Sequence, residues 1–174
     1  MESNKWAFKI DRNLYRILIA LIIITISNAV ISTYIIDKSK QITVEIAEIT
    51  GPSQSALFDL SEMVNNSWRY STNCVHLATS VEDKEELLLI NQQSFPYLKH
   101  KLITLASSWR SPEAIDSLNK IFNDYSHLIL FQNQLLQELK YPADHQNLAK
   151  KRAAEEILDT QINPLASSIT RELS

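Results

Sequence analysis

The sequence predicts an all-α protein in which an N-terminal transmembrane helix continues into an antiparallel up-down-up-down four-helix bundle. The run from Ile17 to Ile36 carries no charge and is long enough to cross the hydrocarbon core of a bilayer as one helix. Gly51 is the only glycine, whereas tight β-hairpin turns need glycine for positive φ. After the apolar run, four segments repeat apolar residues at steps of three and four, the pattern of helices buried on one face.

The N-terminal part is predicted to be a cytoplasmic segment, residues 1–13, followed by a transmembrane helix, residues 14–36. Basic residues precede the apolar run (Lys5, Lys9, Arg12 and Arg16), and the positive-inside rule therefore places the N-terminus in the cytoplasm. A cleaved signal peptide is the alternative, but the apolar run is longer than the hydrophobic region of a signal peptide, and no A-x-A-like cleavage site follows it. We favour an uncleaved, single-pass anchor in the inner (plasma) membrane, with the rest of the chain periplasmic or extracellular.

Residues 37–52 are predicted to form a helical stalk of about 24 Å, at 1.5 Å per residue. Its apolar positions step by four and three from Ile42 past Gly51 and Pro52 into the first bundle helix. We therefore interpret Gly51 and Pro52 as the point where the stalk couples to the domain. A rigid helix transmits displacement, which a flexible glycine-serine linker would lose.

The extracytoplasmic domain, residues 53–174, is predicted to contain four helices of matched length, about 53–81, 84–109, 112–140 and 145–173. Their apolar stripes are Ile42, Ile46, Ile49, Ser53, Ala56, Leu60, Met63, Ser67, Tyr70, Cys74, Leu77 and Val81, then Leu88, Asn91, Phe95, Leu98, Leu102, Leu105 and Trp109, then Ile115, Leu118, Phe122, Tyr125, Ile129, Gln132, Leu136 and Leu139, then Leu148, Leu158, Ile162, Leu165 and Ile169. The third is widened by Ile121, Leu128 and Leu135, as expected of a helix buried between two neighbours. The fourth stripe defines the buried face of its helix less clearly.

Short connections with helix-start chemistry separate the four helices. They are Ser80–Lys84, Ser111–Glu113 and Tyr141–Asp144, and short loops favour antiparallel neighbours. The last helix would end level with Gly51 and Pro52. We therefore expect the chain to stop about one stalk short of the membrane, before a second transmembrane helix.

Several functions are excluded by what the sequence lacks. The formal net charge is −3 and no basic stripe occurs, so we expect no nucleic-acid partner. No Cys-x-x-Cys-His motif and no glycine-rich phosphate loop are present, and the nearest di-iron motif, Asp124-x-x-His127, falls on an outer face. We predict no enzyme activity, no cofactor and no metal site. Cys74, the single cysteine, is expected to be a small buried hydrophobe.

A polar layer is predicted in the half of the bundle that lies far from the membrane. Antiparallel folding places Cys74, Asn91, Gln132 and Lys151 at about one height. One interpretation is a small-ligand pocket between helices. The other, which we favour, is that Asn91 and Gln132 satisfy each other and set register, while Lys151 extends to solvent.

Trp68 and Arg69 occupy outward heptad positions of the first bundle helix. Tryptophan and arginine are enriched at protein interfaces, so this pair is a candidate homodimer contact. A second interpretation is that Arg69 holds a carboxylate-bearing ligand at that interface. A third is a partly exposed tryptophan beside a solvated arginine.

Four stretches of the sequence resemble a known sensor family: Ile49-Thr-Gly-Pro52, Asn65-Asn-Ser-Trp-Arg-Tyr-Ser-Thr-Asn73, Val81-Glu-Asp-Lys-Glu85 and Phe95-Pro-Tyr-Leu98. Together with the helical organisation, they resemble the four-helix-bundle sensor domain of methyl-accepting chemotaxis receptors. This domain also fronts some bacterial histidine kinases and nucleotide cyclases. The likeness covers about residues 14–173, and because ligand residues differ between members, it assigns none here.

The resemblance implies the extracytoplasmic sensory region of a bacterial transmembrane receptor. A small-molecule or protein ligand, or a change at a dimer interface, would shift a helix by an ångström or two and pass that shift down the stalk. The alternative is a membrane-tethered adaptor or structural protein that binds another protein without signalling.

Overall fold

The computed structural model describes residues 3–77 and 81–173, with side chains from Leu14 onward. Within these ranges all regular structure is helical and no strand occurs, so the predicted all-α class is confirmed for this part of the chain. Residues 78–80 lie outside the described residues. They include Ser80 of the first predicted connection and the last predicted turn of the first bundle helix, which was expected to end at 81.

The chain divides into two compact units, Met1–Glu48 and Ile49–Ser174. The first unit contains α1, Ser3–Glu45. An 18-residue window of the helical stretch that begins at Leu14 has a mean hydropathy of 2.2, and none of it is buried. By length and composition this helix can cross a membrane.

Two threonine hydroxyls in the apolar part of α1 are satisfied within the helix. Thr25 donates to the Leu21 carbonyl at 2.8 Å and Thr33 donates to the Ala29 carbonyl at 2.9 Å. A bilayer supplies no hydrogen-bond partner, so internal pairing of this kind lowers the cost of placing a hydroxyl in lipid.

The second unit is built from six α-helices and a short 3₁₀ helix among its described residues. They are α2 (Gly51–His76), α3 (Val81–Leu89), α4 (Phe95–Ala106), α5 (Pro112–Glu138), the 3₁₀ helix Pro142–Gln146, α6 (Leu148–Ile157) and α7 (Asn163–Glu172). Helix α2 packs against α3, α4 and α7, and α5 packs against α6 and α7. These contacts enclose one hydrophobic core.

Among the described residues, three π turns, each one residue wider than an α turn, interrupt the α-helical pattern. The first is Ile46–Thr50, the second is Ile90–Ser94 between α3 and α4, and the third is Leu158–Ile162 between α6 and α7. The backbone stays helical through each of them. The pairs α3–α4 and α6–α7 are therefore continuous helical stretches.

Each π turn lies at the same spacing before a proline. Pro52, Pro96 and Pro164 stand two residues after the last residue of the first, second and third π turns. A proline ring collides with the carbonyl four residues earlier and offers no N–H, which breaks a regular α-helix. A π turn supplies one extra residue, which relieves that collision and lets the helix continue.

The hydrogen bonds beside two of these prolines show the inserted residue. The Phe95 N–H donates to the Ile90 carbonyl, and the Asn163 N–H donates to the Leu158 carbonyl. Both bonds span five residues rather than four, as a π turn requires.

The other two prolines begin helices. Pro112 opens α5, where the Ser111 hydroxyl accepts from the Ala114 N–H at 3.2 Å, and this confirms the predicted N-cap. Pro142 opens the 3₁₀ helix. At these positions the missing proline N–H leaves no hydrogen bond unmade.

Some predicted core positions are wrong. Leu77 is 52% exposed, Val81 59% and Leu148 63%. Helix α2 ends at His76, Val81 opens α3, and Leu148 is the first residue of α6, so these three side chains lie beyond the packed parts of their helices. In α6 the first buried residue is Ala154.

Candidate functional site

A chain of buried amide and hydroxyl groups crosses the core of the second unit. The Asn91 amide donates to Gln132 Oε1 at 2.9 Å, and the Gln132 amide donates to Ser71 Oγ at 3.1 Å. The Ser71 hydroxyl donates to the Ser67 carbonyl at 2.7 Å. We call Asn91, Gln132 and Ser71 the core polar chain; it links the second π turn, α5 and α2.

The structure brings together two of the four residues that the sequence places in one polar layer. Asn91 and Gln132 are paired, as the register interpretation expects. Cys74 is fully buried in the hydrophobic core. Lys151 keeps 40% of its side chain exposed and lies 3.9 Å from Glu155 on its own helix, so it takes no part in the core polar chain.

Ser71 is the member of this chain that sequence reasoning missed. The heptad stripe assigned Tyr70 to the core, but Ser71 is fully buried and Tyr70 is half-buried. Ser67 and Ser71 stand four residues apart on the same face of α2, and both hydroxyls bond to carbonyls of the preceding turn. A pair of small hydroxyl residues at helical spacing is the signal that identifies this polar surface.

Two buried polar atoms beside the core polar chain lack a hydrogen-bond partner among the described residues. They are Asn91 Oδ1 and the Tyr125 hydroxyl oxygen. Burial raises the pKa of the Tyr125 phenol. The Tyr125 ring stacks on Phe95, with centroids 4.2 Å apart. The polar groups of this region are therefore neutral donors and acceptors, suited to holding register or a polar guest.

Trp68 is half-buried against the core, and its indole N–H donates to Asn163 Oδ1 at 2.7 Å. This is the partly exposed tryptophan of the third interpretation, and its polar atom is already used within the unit. The side chain of Arg69 is exposed and stands 5.0 Å from the centroid of the Tyr70 ring, a cation–π distance. The structure does not bring Arg69 to Asn91 or Gln132. The dimer and ligand roles of Trp68 and Arg69 stay predictions.

Gly51 and Pro52, the predicted coupling residues, open α2 directly after the first π turn. No glycine in the described residues has positive φ, so Gly51 follows the helical path. Thr50, the residue before them, has helical φ and ψ of −67° and −49°. The backbone does not break at this point.

A surface groove runs between α2 and the stretch formed by the second π turn and α4. It consists of two cavities of about 450 Å³ and 210 Å³ that share Asp59, Met63 and Ser94. Tyr97 and Lys101 line the larger cavity, and Glu62 and Ile90 line the smaller one. We call it the α2–α4 groove; sequence reasoning missed it because its residues share no single heptad position.

The connection from α5 to α6 is held by charged groups. Asp144 Oδ1 lies 2.8 Å from Lys150 Nζ, and Asp144 Oδ2 accepts from the Tyr141 N–H at 2.7 Å. These bonds hold the pKa of the Asp144 carboxyl below its usual value, with Lys150 contributing most. Lys84 donates to the Leu139 carbonyl at 2.5 Å, which ties the start of α3 to the end of α5.

The part of the chain that the structure describes contains no group of three or more His, Cys, Asp or Glu side chains placed to hold a metal ion. Comparison with known proteins gives no match to a family model, to a curated protein or to a solved structure.

Proposed function

We propose that this chain is the extracytoplasmic sensory region of a bacterial transmembrane chemoreceptor or a related signalling receptor. Helix α1 would anchor it in the inner membrane, with the N-terminus in the cytoplasm and the second unit in the periplasm. The observation that carries the proposal is helical backbone from Leu14 to His76. One end of that stretch is apolar enough for a bilayer, and the other end carries Ser71 of the core polar chain.

We also propose that the second unit is an antiparallel up-down-up-down four-helix bundle, counting α3–α4 and α6–α7 as one helix each. Contacts between opposite helix ends support this arrangement. Trp109, just past α4, donates to Ser53 at the start of α2 at 2.9 Å, and Asn73, near the end of α2, donates to Asp83 of α3 at 3.2 Å.

The second pair of helices offers the same kind of support. Lys120, in the first half of α5, pairs with Glu172 at the end of α7. The connections 107–111 and 139–147 are also short, as adjacent antiparallel helices require. The core polar chain would then hold the first three helices in one register.

The proposed mechanism is a small displacement of α2 that passes through the first π turn into the stalk. A ligand, or a rearrangement at a homodimer contact near Arg69, would favour one of two positions of α2. Because Pro52 fixes the π turn in this helix, it would determine how much of the displacement reaches the anchor.

The test uses the full chain in lipid nanodiscs, with a spin label at Lys40→Cys and the native Cys74 replaced by Ala. Melting temperature, oligomeric state and label-to-label distance are measured across organic acids, amines and peptides. We expect a compound that raises the melting temperature also to strengthen dimerisation, by linkage, and to change the label distance. Pro52→Ala should reduce that distance change and leave the affinity unaltered.

Two results would contradict the proposal. A protein that stays monomeric and indifferent to every compound would favour the tethered adaptor, as would capture of a protein partner without any change in label distance. A ligand that binds while Pro52→Ala leaves the label response unchanged would remove the first π turn from the mechanism.

A further inference from the structure

The α2–α4 groove combines an apolar floor with a charged wall. Met63 is 9% exposed and Leu98 4% exposed, and both line the larger cavity. Tyr97, which also lines that cavity, is 73% exposed. A small molecule in the groove would bury an apolar body against the floor and the Tyr97 ring.

The charges of the groove favour a cationic guest. Asp59 forms an ion pair with Lys101 at 3.6 Å. Glu62, one helical turn further along α2, forms no ion pair with the side chains that the structure describes, those of residues 14–77 and 81–173. Two carboxylates and one ammonium leave the groove with a net negative charge. A cation placed at Glu62 meets an unpaired carboxylate, and an anion there meets repulsion from both acids.

The acceptors around Glu62 match a primary ammonium group. Asn66 and Ser94 line the same cavity as Glu62. A primary ammonium has three N–H donors, and the Glu62 carboxylate, the Asn66 carbonyl and the Ser94 hydroxyl oxygen are three acceptors. A quaternary ammonium would leave these acceptors unused.

We propose that the α2–α4 groove binds a small primary amine with an apolar body, its ammonium at Glu62 and its body against Met63 and Tyr97. As the ligand site of the proposed sensory region, this assignment rests on the proposed function. The site also adjoins the backbone turn that carries Asn91, because Ile90 and Ser94, which line the groove, belong to the same π turn as Asn91. An occupant of the groove therefore contacts the segment that positions Asn91.

The experiment measures binding to the full chain in nanodiscs by calorimetry, with 2-phenylethylamine as the probe. Two probes of similar shape, 2-phenylethanol and 3-phenylpropanoate, replace the cation by a neutral group and by an anion. We expect saturable binding of the amine and at least roughly tenfold weaker binding of both comparators, because a charge-assisted contact contributes about that factor.

Glu62→Gln should weaken binding of the amine by about tenfold and remove the preference over the alcohol. Glu86→Gln is the matched control, because Glu86 is an exposed carboxylate on α3 outside the groove, and it should leave the affinity unchanged. Tyr97→Ala should weaken the amine and the alcohol equally. Equal affinity for the three probes, no saturable binding at millimolar amine, or an unaltered affinity in Glu62→Gln would each overturn the assignment.

The failure of this proposal and the failure of the proposed function give different results. Amine binding at Glu62 without any change in the Lys40→Cys label distance would contradict the sensory function and leave the groove assignment standing. A label response to another compound, with no binding of the amine, would support the sensory function and overturn the groove assignment.

Discussion

Asn91 lies 2.9 Å from Gln132 across the core, and it occupies the second position of a π turn that Pro96 follows. The pairing is therefore tied to a backbone feature that a proline enforces. Removal of one residue would convert this π turn into a regular α turn. Asn91 would then be rotated by about 100° around the helix axis relative to α4. A polar contact in the core and a proline on the surface, 5 residues apart in the sequence, thus depend on each other.

Gln132→Leu should lower the free energy of unfolding by about 1–3 kcal/mol, because it leaves the buried Asn91 amide and the Ser71 hydroxyl oxygen without their partner. The matched control is Gln134→Leu on the same helix, where the side chain is exposed. The control should change stability by less than about 0.5 kcal/mol. Urea unfolding followed by circular dichroism measures both, and equal effects would show that the core polar chain contributes no stability.

Pro96→Ala should slow hydrogen exchange of the backbone amides near residues 94–97. The alanine supplies an N–H and removes the ring that prevents regular α-helical bonding, so this turn can close. Pro112→Ala is the control, because Pro112 opens α5, where the proline N–H would have no partner. Mass spectrometry measures the hydrogen exchange of both variants and of the native chain. Unaltered exchange in Pro96→Ala would mean that the second π turn is set by its packing and not by the proline.

Trp68→Phe should lower the free energy of unfolding by about 0.5–1.5 kcal/mol, the usual contribution of one hydrogen bond, since it removes the donor to Asn163 Oδ1. The same change made in an Asn163→Ala background should cost less, because the acceptor is already absent. The coupling from this double-mutant cycle is the quantity to measure. A coupling of zero would assign the Trp68 contribution to packing alone.

The contribution of Asp144 should depend on pH in the acid range. Its folded pKa lies below the ordinary 3.8, so the stability that its bonds provide is fully present above that ordinary pKa and disappears as pH falls through the lower folded pKa. The stability difference between the native chain and Asp144→Asn should therefore shrink as the solution is acidified. Asp116→Asn, at an exposed position of α5, is the control for the substitution itself, and acid titrations of melting temperature compare the two variants.

Paired arginines in the apolar part of α1 should release the chain from the membrane. The double change Ile22→Arg and Ile26→Arg places two charges on one face of the helix, at a cost of about 5–7 kcal/mol for insertion. Leu130→Arg, at a position 54% exposed on α5, is the control and should leave membrane association unaltered. Carbonate extraction of membranes distinguishes the two. If the double variant stays in the membrane fraction, another part of the chain is responsible for attachment.

The third apolar stripe was predicted well because α5 is a single regular helix. Leu118, Phe122, Tyr125 and Gln132 are buried at their predicted positions, and the widening residues Ile121, Leu128 and Leu135 are buried too. Regular geometry lets a constant three-and-four spacing hold from one end of the helix to the other.

The second stripe was predicted less well at its start, because a π turn changes the phase of the helix. Leu88 was expected in the core, whereas Leu87 is fully buried and Leu88 is 36% exposed. The inward residues Leu87, Asn91 and Phe95 are separated by four and again by four, the spacing that one inserted residue produces. The proline at position 96 was visible in the sequence, but its effect on the preceding turn was not.

Part of the candidate site could likewise be predicted from the sequence and part could not. The pairing of Asn91 with Gln132 follows from helix spacing and antiparallel neighbours, so the sequence was sufficient to propose it. The α2–α4 groove depends on how far apart two helix surfaces stand, and no periodic signal in the sequence reports that distance. Lys151, which the favoured interpretation expects to extend to solvent, keeps 40% of its side chain exposed and lies 3.9 Å from Glu155 on its own helix.

The three prolines that follow π turns also constrain how this chain can vary between related proteins. Each of Pro52, Pro96 and Pro164 is matched to one additional residue in the turn before it. If the proline were replaced and the additional residue kept, the helix on one side would face a new direction relative to the core. A related sequence that lacks one of these prolines is therefore expected to lack one residue just before it, so that substitution and deletion occur together.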